Sequence, residues 1–423
     1  MSSSPEHIVA IFGGAVAGAE AAEHLSRLGI KTVVFEQNPL PFGKIEDGLP
    51  FWHIKLRDKE EEKIIEKLNH PNVHFVPSTR LGNDVQFNDL VEKWNFSAIL
   101  LATGAWRDRP IPIDGIDAYI GKGLTYQNPF FQWFNHAHDA NYSGPTWDVV
   151  DDTLIIGGGL ASIDVAKAVM MQTTKDALSQ KGIHVPLFEI EKKGPADILA
   201  EHKLTKEEIG LKGCTLVYRR HAINMPITPI PEDADERRIQ KAMEVRQRMI
   251  DNLVEKFLFK FVECHMPVDK IISDDRLSGI VFQKTKIEGD RVIPLEGEFS
   301  EIRSAAVISS IGSVPEMING IPMKGSTFAV ADWETGQLEG YDNVYLLGNA
   351  VTGQGNIKVS RTHGNFVGNL VREKLQSQPP LTTEQMASIF DKVKTRQAEV
   401  GYDGDLLHWA TKHTPVRLEN LEA

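Results

Sequence analysis

The sequence predicts an α/β protein with two dinucleotide-binding (Rossmann-like) domains, one inserted in the other. Three observations carry this. Residues 7–37 run His-Ile-Val-Ala-Ile-Phe into Gly13-Gly14-Ala15-Val16-Ala17-Gly18, continue as a helical pattern, and close with Lys31-Thr-Val-Val-Phe-Glu36. Residues 153–220 repeat the order, from Thr-Leu-Ile-Ile into Gly157-Gly158-Gly159-Leu160-Ala161-Ser162 and later Thr215-Leu-Val-Tyr-Arg219-Arg220. Apolar strands at 97–101, 305–312 and 343–348 stand where they would complete the sheets. One glycine fingerprint is weak, but two, each opening a helix, point to two dinucleotides bound side by side.

The chain has 423 residues, enough for two or three domains, and its 41% hydrophobic and 25% charged content is that of an ordinary globular protein. The start lacks a basic segment followed by an apolar run, and no window approaches a membrane span, so a cytoplasmic protein without membrane contact is expected. A net charge of −12 argues against nucleic-acid binding. Cys214 and Cys264 are the only cysteines and form no C-x-x-C, which argues against a redox disulfide or an iron–sulfur cluster held by this chain; no metal site is expected. Electrons arriving on a flavin would then leave to a separate protein, a small acceptor or oxygen.

In chain order, Pro39-Leu-Pro-Phe-Gly43 opens a loop, residues 59–68 form an amphipathic helix, and Ser97-Ala-Ile-Leu-Leu101 is a buried strand ending in Ala102-Thr103-Gly104. The aromatic stretch 119–147 is irregular and reads as a crossover between domains. Residues 171–213 lack clean periodicity and read as surface insertions, 232–260 as a long charged helix, and 268–297 as antiparallel hairpin strands. The strands at 305–312 and 343–348 are expected to return the chain to the first domain, before a helix at 364–377.

The residue types within the turns point to chemistry. Gly13 permits the tight turn, Gly18 permits close helix–sheet packing, and the helix N-terminus offers N–H groups to a pyrophosphate. Ala15 occupies the middle glycine position, where its methyl would crowd the phosphate. Glu36 ends the second strand, where it can accept hydrogen bonds from an adenosine ribose. In the second turn Gly157 and Gly159 keep the spacing, Leu160 and Ala161 open the helix, and Ser162 takes the third place. Arg219-Arg220-His221 replaces the carboxylate of an NAD site with cations suited to a 2′-phosphate, so NADP is preferred.

Four segments together resemble the adrenodoxin reductase-type ferredoxin:NADP reductases and the related glutamate synthase small subunit. They are Pro41-Phe-Gly43-Lys44-Ile-Glu-Asp-Gly48-Leu-Pro-Phe-Trp-His53, Phe131-Gln-Trp133-Phe-Asn135, Gly157 to Ala166, and Tyr218-Arg-Arg-His-Ala-Ile-Asn224-Met225-Pro226. The last is nearer to the glutamate synthase type. The resemblance covers about residues 7–375. It implies a FAD domain from 7–108 plus 305–380, a crossover at 109–150 and an NADP domain at 151–304; beyond it, weakening apolar periodicity reads as a helical tail at 381–423. It implies His53 and Glu232 beside the flavin and nicotinamide rings. FAD contacts would come from Gly13, Ala15, Ala17, Gly18, Glu36, Gly43, Lys44, Gly48, Ala102, Thr103, Gly104, Gly348, Asn349, Gly355, Asn356 and Ile357. NADP(H) contacts would come from Gly157, Gly159, Leu160, Ala161, Ser162, Arg219 and Arg220. The chain departs from the adrenodoxin type at 352–363, where Arg-Gly-Pro-Thr-Gly is absent.

The implied activity passes electrons from NADPH through FAD to a ferredoxin-like protein, with Lys55, Arg57, Lys358 and Arg361 as a basic patch for it. Two alternatives stand beside it: an electron-input subunit of a larger complex, like the glutamate synthase small subunit, and a flavin-binding regulatory module without turnover.

Overall fold

The computed structural model describes residues 6–231, 233–353 and 356–422. The chain divides into two compact units. The first runs to Arg107 and resumes over Ser313–Val416, and the second takes Asp108–Gly312 and the residues from Arg417 onward.

The first unit is built on a seven-stranded sheet. Ile8–Phe12 lies inside it, parallel to Lys31–Phe35 on one side and Ala98–Leu101 on the other. Val73–Val76 extends one edge. Val344–Leu346 lies beyond Ala98–Leu101, also parallel, followed by the short antiparallel strands Gln337–Leu338 and Val330–Asp332. Apolar runs suit such strands because both faces are covered. Alternation then divides the side chains: Val9 and Ile11 join one core with Leu25 and Val371, while Ile8, Ala10 and Phe12 join another with Phe87 and Ile389. The helices Val16–Arg27 and Ile357–Leu375 cross closely, since a Cβ on Gly364 would lie 2.4 Å from the Ala17 carbonyl oxygen. The tail helices Thr383–Glu399 and Leu406–His413 belong to this unit, the former opened by a Thr382–Gln385 capping box.

The second unit carries a five-stranded parallel sheet in the order Leu124–Tyr126, Ala306–Ser310, Thr153–Gly157, Thr215–Val217, Lys260–Val262. A three-stranded antiparallel sheet, His265–Ser273, Arg276–Glu288 and Arg291–Arg303, packs Leu277, Ile280 and Phe282 into the same core. The long helix Glu236–Phe257 is capped by Asp235. From within it Arg246 donates to the Ile223 and Thr228 carbonyls and to the Thr228 hydroxyl, clasping the loop before the helix.

Three expectations are corrected. Ala306–Ser310 pairs in the second sheet, and the chain returns to the first unit only at Ser313. The stretch 119–147 is ordered over the strand Leu124–Tyr126 and the helix Gln127–His136, whose Phe130, Phe131 and Phe134 are buried. The stretch 171–213 is not loop: the helix Leu160–Gln180 continues through its start, and Leu187–Lys193 and Pro195–Glu201 are helical. Residues Val165 to Met171 are buried all round that helix, and only its last turns show a polar face, at Gln172, Lys175, Asp176 and Ser179, so the period is weak. Among the described residues no helix is long and apolar enough to cross a membrane, and no group of three His, Cys, Asp or Glu side chains could hold a metal ion.

Candidate functional site

In the first unit the glycine turn is set by contacts that exclude side chains. Gly13 has φ +104°, and a Cβ there would lie 2.4 Å from the Ala102 carbonyl oxygen. A Cβ on Gly18 would lie 1.8 Å from the Gly13 carbonyl oxygen. The Ala15 methyl is accommodated by a second glycine, because a Cβ on Gly43 would come within 3.0 Å of it. Ala15 and the turn lead into the 12-residue helix Val16–Arg27, which has no side-chain N-cap and keeps its first N–H groups open to an anion.

Glu36 ends the second strand as expected, buried at 4% exposure. Its Oε2 accepts from the Gly14 N–H at 2.8 Å and its Oε1 from the Asn38 N–H at 3.0 Å. Burial raises its pKa to about 7 against these bonds, which favour the anion. The carboxylate therefore shapes the turn itself. Thr103 and Gly104 follow the strand Ala98–Leu101, beside Ala102. Gly104 and Gly43 both face Trp106, at 3.7 and 3.8 Å from where their Cβ atoms would stand. Lys44 donates to Ser313 at 3.2 Å and lies over the Trp106 ring at 5.6 Å. Gly48 ends the short helix Lys44–Asp47, and half-buried His53 heads the helix Ile54–Leu68.

Gly348 ends the returning strand with φ +66° and ψ −142°, and a Cβ there would lie 2.7 Å from that of Ala17. Its N–H donates to Nδ1 of His363 at 3.0 Å, a partner that the sequence did not indicate. Asn356 caps the helix Ile357–Leu375 by accepting from the Lys358 and Val359 N–H groups, and Ile357 is its first residue. Glu232 and Gly355 lie outside the described residues. Of the basic patch, Lys55 and Lys358 are exposed, but Arg57 is buried beside Asp58 and Glu61, and Arg361 pairs with Glu60 and Glu20. Arg57 is thus buried, and the partly exposed Arg361 is held by carboxylates.

In the second unit Gly157 is required by crowding, since a Cβ there would lie 2.5 Å from both the Ser162 Cβ and the Ser310 carbonyl oxygen. A Cβ on Gly158 would enter the Tyr218 ring. At Gly159 nothing stands within 4 Å, so the backbone at the middle position is open. Buried Ser162 donates to the Gly159 carbonyl at 2.7 Å, while Leu160 is exposed and Ala161 half-buried at the start of the 21-residue helix. The cations at the strand end divide. Arg219 is exposed with no side-chain partner among the described residues, Arg220 donates to the Asp290 carbonyl at 2.6 Å, and His221 is 3.0 Å from Glu263.

The first unit carries polar atoms left over for a bound group. Among the described residues, Thr103 Oγ1 and Asn349 Oδ1 are buried without hydrogen-bond partners, and both flank the first glycine turn's sheet edge at strand ends. Buried polar atoms are rarely left unpaired, so a bound group with hydroxyls and carbonyls suits them.

Comparison with known proteins agrees with this geometry. Residues 7–208 match the family model described as pyridine nucleotide-disulphide oxidoreductase. The mitochondrial NADPH:adrenodoxin oxidoreductase of Arabidopsis thaliana is 25% identical over 355 residues, covering 76% of this chain and 70% of that protein. The glutamate synthase [NADPH] small chain of Bacillus subtilis is 30% identical over 184 residues, covering 42% of this chain and 35% of that protein. The structure of Mycobacterium tuberculosis FprA in complex with NADPH superposes on this chain with a TM-score of 0.69 at 18% identity, covering 93% of this chain and 91% of that one. That likeness shows a shared fold.

Proposed function

We propose that this chain is a flavoprotein oxidoreductase that takes electrons from NADPH and passes them to a ferredoxin-like protein. The observation that carries the reading is the pairing of two glycine turns, each opening an uncapped helix at the end of a parallel strand, in two separate units. The first unit would hold FAD through the Gly13–Gly18 turn, Thr103 and Asn349. The second would hold NADP(H) through Gly157, Gly159 and the following helix start, with Arg219 against the 2′-phosphate. When bound, FAD supplies the chemistry of accepting two electrons as a hydride and releasing them singly.

The protein's own residues orient and select. Gly159 leaves room for a pyrophosphate, Arg219 supplies charge for the extra phosphate of NADPH, and His53 and Glu232 are proposed to border the reacting rings. Both cysteines are free thiols, and Cys214 is buried with its pKa pushed up to about 12 by desolvation. Neither suits a dithiol relay, which supports an external acceptor.

The test is reconstitution with FAD followed by anaerobic mixing with NADPH and a ferredoxin. Flavin bleaching and ferredoxin reduction are expected; a chain that retains no FAD overturns the reading. The segment Asn224-Met225-Pro226 favours a second reading, an electron-input subunit of a larger complex. In that case the flavin bleaches but the isolated chain leaves the ferredoxin oxidised. Failure to bleach would instead indicate a regulatory module.

A further inference from the structure

We propose that His363 is a positioning residue for the flavin: its unprotonated Nδ1 holds the Gly348 N–H and thereby fixes the turn that presents Asn349. This rests on the assignment of FAD to the first unit.

A backbone N–H always donates, so the 3.0 Å contact from Gly348 requires Nδ1 to be the acceptor and leaves the ring proton on Nε2. Desolvation lowers the His363 pKa, which favours the neutral ring that this bond needs. The bond adds to two backbone bonds around the turn, from the Leu347 N–H to the Leu101 carbonyl and from the Val351 N–H to the Gly348 carbonyl, and it is the one that the Gly348 N–H itself makes. Gly348 adopts φ +66° and ψ −142°, a conformation essentially reserved for glycine. It also approaches the first nucleotide-binding helix so closely that its missing Cβ would stand 2.7 Å from the Ala17 Cβ. Gly364, the residue after His363, meets the same alanine through its carbonyl, at 2.4 Å from a Cβ built on the glycine. Ala17 is therefore gripped by two glycines, and His363 ties one of them to the helix that carries the other. The next residue along the turn, Asn349, keeps a buried Oδ1 with no partner among the described residues. Releasing Gly348 would let that acceptor drift while leaving the core strands untouched.

The experiment compares the holoprotein with His363→Asn, whose Oδ1 can take the place of Nδ1, and His363→Leu, which fills space and accepts nothing. FAD dissociation constants and flavin midpoint potentials are measured on deflavinated and reloaded protein. His363→Leu is expected to weaken FAD about tenfold, the loss anticipated for one unsatisfied backbone donor, and to shift the potential. His363→Asn is expected to stay within about twofold of the parent. Parent-like binding and potential in His363→Leu overturn the proposal, and so does His363→Asn as weak as His363→Leu. Should His363→Leu fail to fold, nitrogen NMR of the parent ring decides: a proton on Nε2 supports the proposal and one on Nδ1 overturns it. If the parent itself takes up no FAD, the functional reading fails, a result distinct from either.

Discussion

Trp409 donates its indole N–H to the Pro39 carbonyl at 2.8 Å, joining residues 370 positions apart. The indole is buried against Tyr402, with ring centroids 5.4 Å apart, and the Pro39 loop runs on to Pro41, whose side chain lies against Gly14 of the first glycine turn. Trp409→Phe keeps an aromatic ring against Tyr402 and removes the donor. It should lower stability by about 1 kcal/mol, the ordinary worth of one such bond, whereas Trp409→Ala should lower it by about 3–5 kcal/mol. Urea denaturation checks both, and an unchanged stability in Trp409→Phe would show that the hydrogen bond contributes nothing.

Ala15 and Gly43 should behave as a coupled pair. Gly43→Ala sets two methyls about 3.0 Å apart and asks alanine to hold φ +51°. Replacing Ala15 by Gly in the same chain relieves the clash but not the backbone strain, so the double variant should recover part of the loss. A double-mutant cycle on melting temperature measures the coupling, expected at about 0.5–3 kcal/mol. Simple additivity is the contrary outcome.

Arg219 and Arg220 should separate kinetically. Arg219→Ala is expected to lower kcat/KM for NADPH by about tenfold to a hundredfold with little change for NADH, the range of a lost charge-assisted bond. Arg220→Ala removes the tie to Asp290 and should alter the NADPH-to-NADH ratio far less. Steady-state kinetics with both coenzymes checks this, and matched selectivity losses count against the division.

Glu36 makes flavin-free stability depend on pH. Its folded pKa, about 7, lies above the ordinary 4.5, so the folded state binds the proton more tightly than the unfolded chain. That contribution is complete below pH 4.5 and is lost as pH rises through 7. The shift corresponds to about 3 kcal/mol. Chemical denaturation at pH 5 and pH 7.5 should show Glu36→Gln losing less stability over the interval than the parent; identical slopes would remove Glu36 as the cause.

The parts legible in the sequence were those governed by local geometry. Gly13, Gly18 and Gly157 stand where a side chain has no room, and turn spacing reveals them because a strand–turn–helix unit packed beside a neighbouring parallel strand recurs with the same crowding, from the Ala102, Gly13 and Ser310 carbonyls here. Partners set by tertiary packing were not legible. The apolar run Ala306–Ser310 fits either parallel sheet, and only the pairing with Leu124–Tyr126 and Thr153–Gly157 decides between them. The helix Leu160–Gln180 escaped because all-round burial from Val165 to Met171 masks its amphipathic period. Arg57 and Arg361 read as surface charges since a lone sequence cannot reveal the carboxylates that meet them. His363 gave no signal because its role is to accept from a backbone group.

The pairing of Arg361 with Glu60 bears on how this surface can diverge among descendants. Glu60 is nearly inaccessible to water, and Lys63 at 3.0 Å is its other cation. Loss of Arg361 alone would leave Lys63, among the described residues, as the only cation on a carboxylate in a poorly hydrated helix crossing, a change costlier than erasing an exposed charge. Lineages that lose the arginine should therefore have exchanged the acid as well, and the two positions should drift in concert.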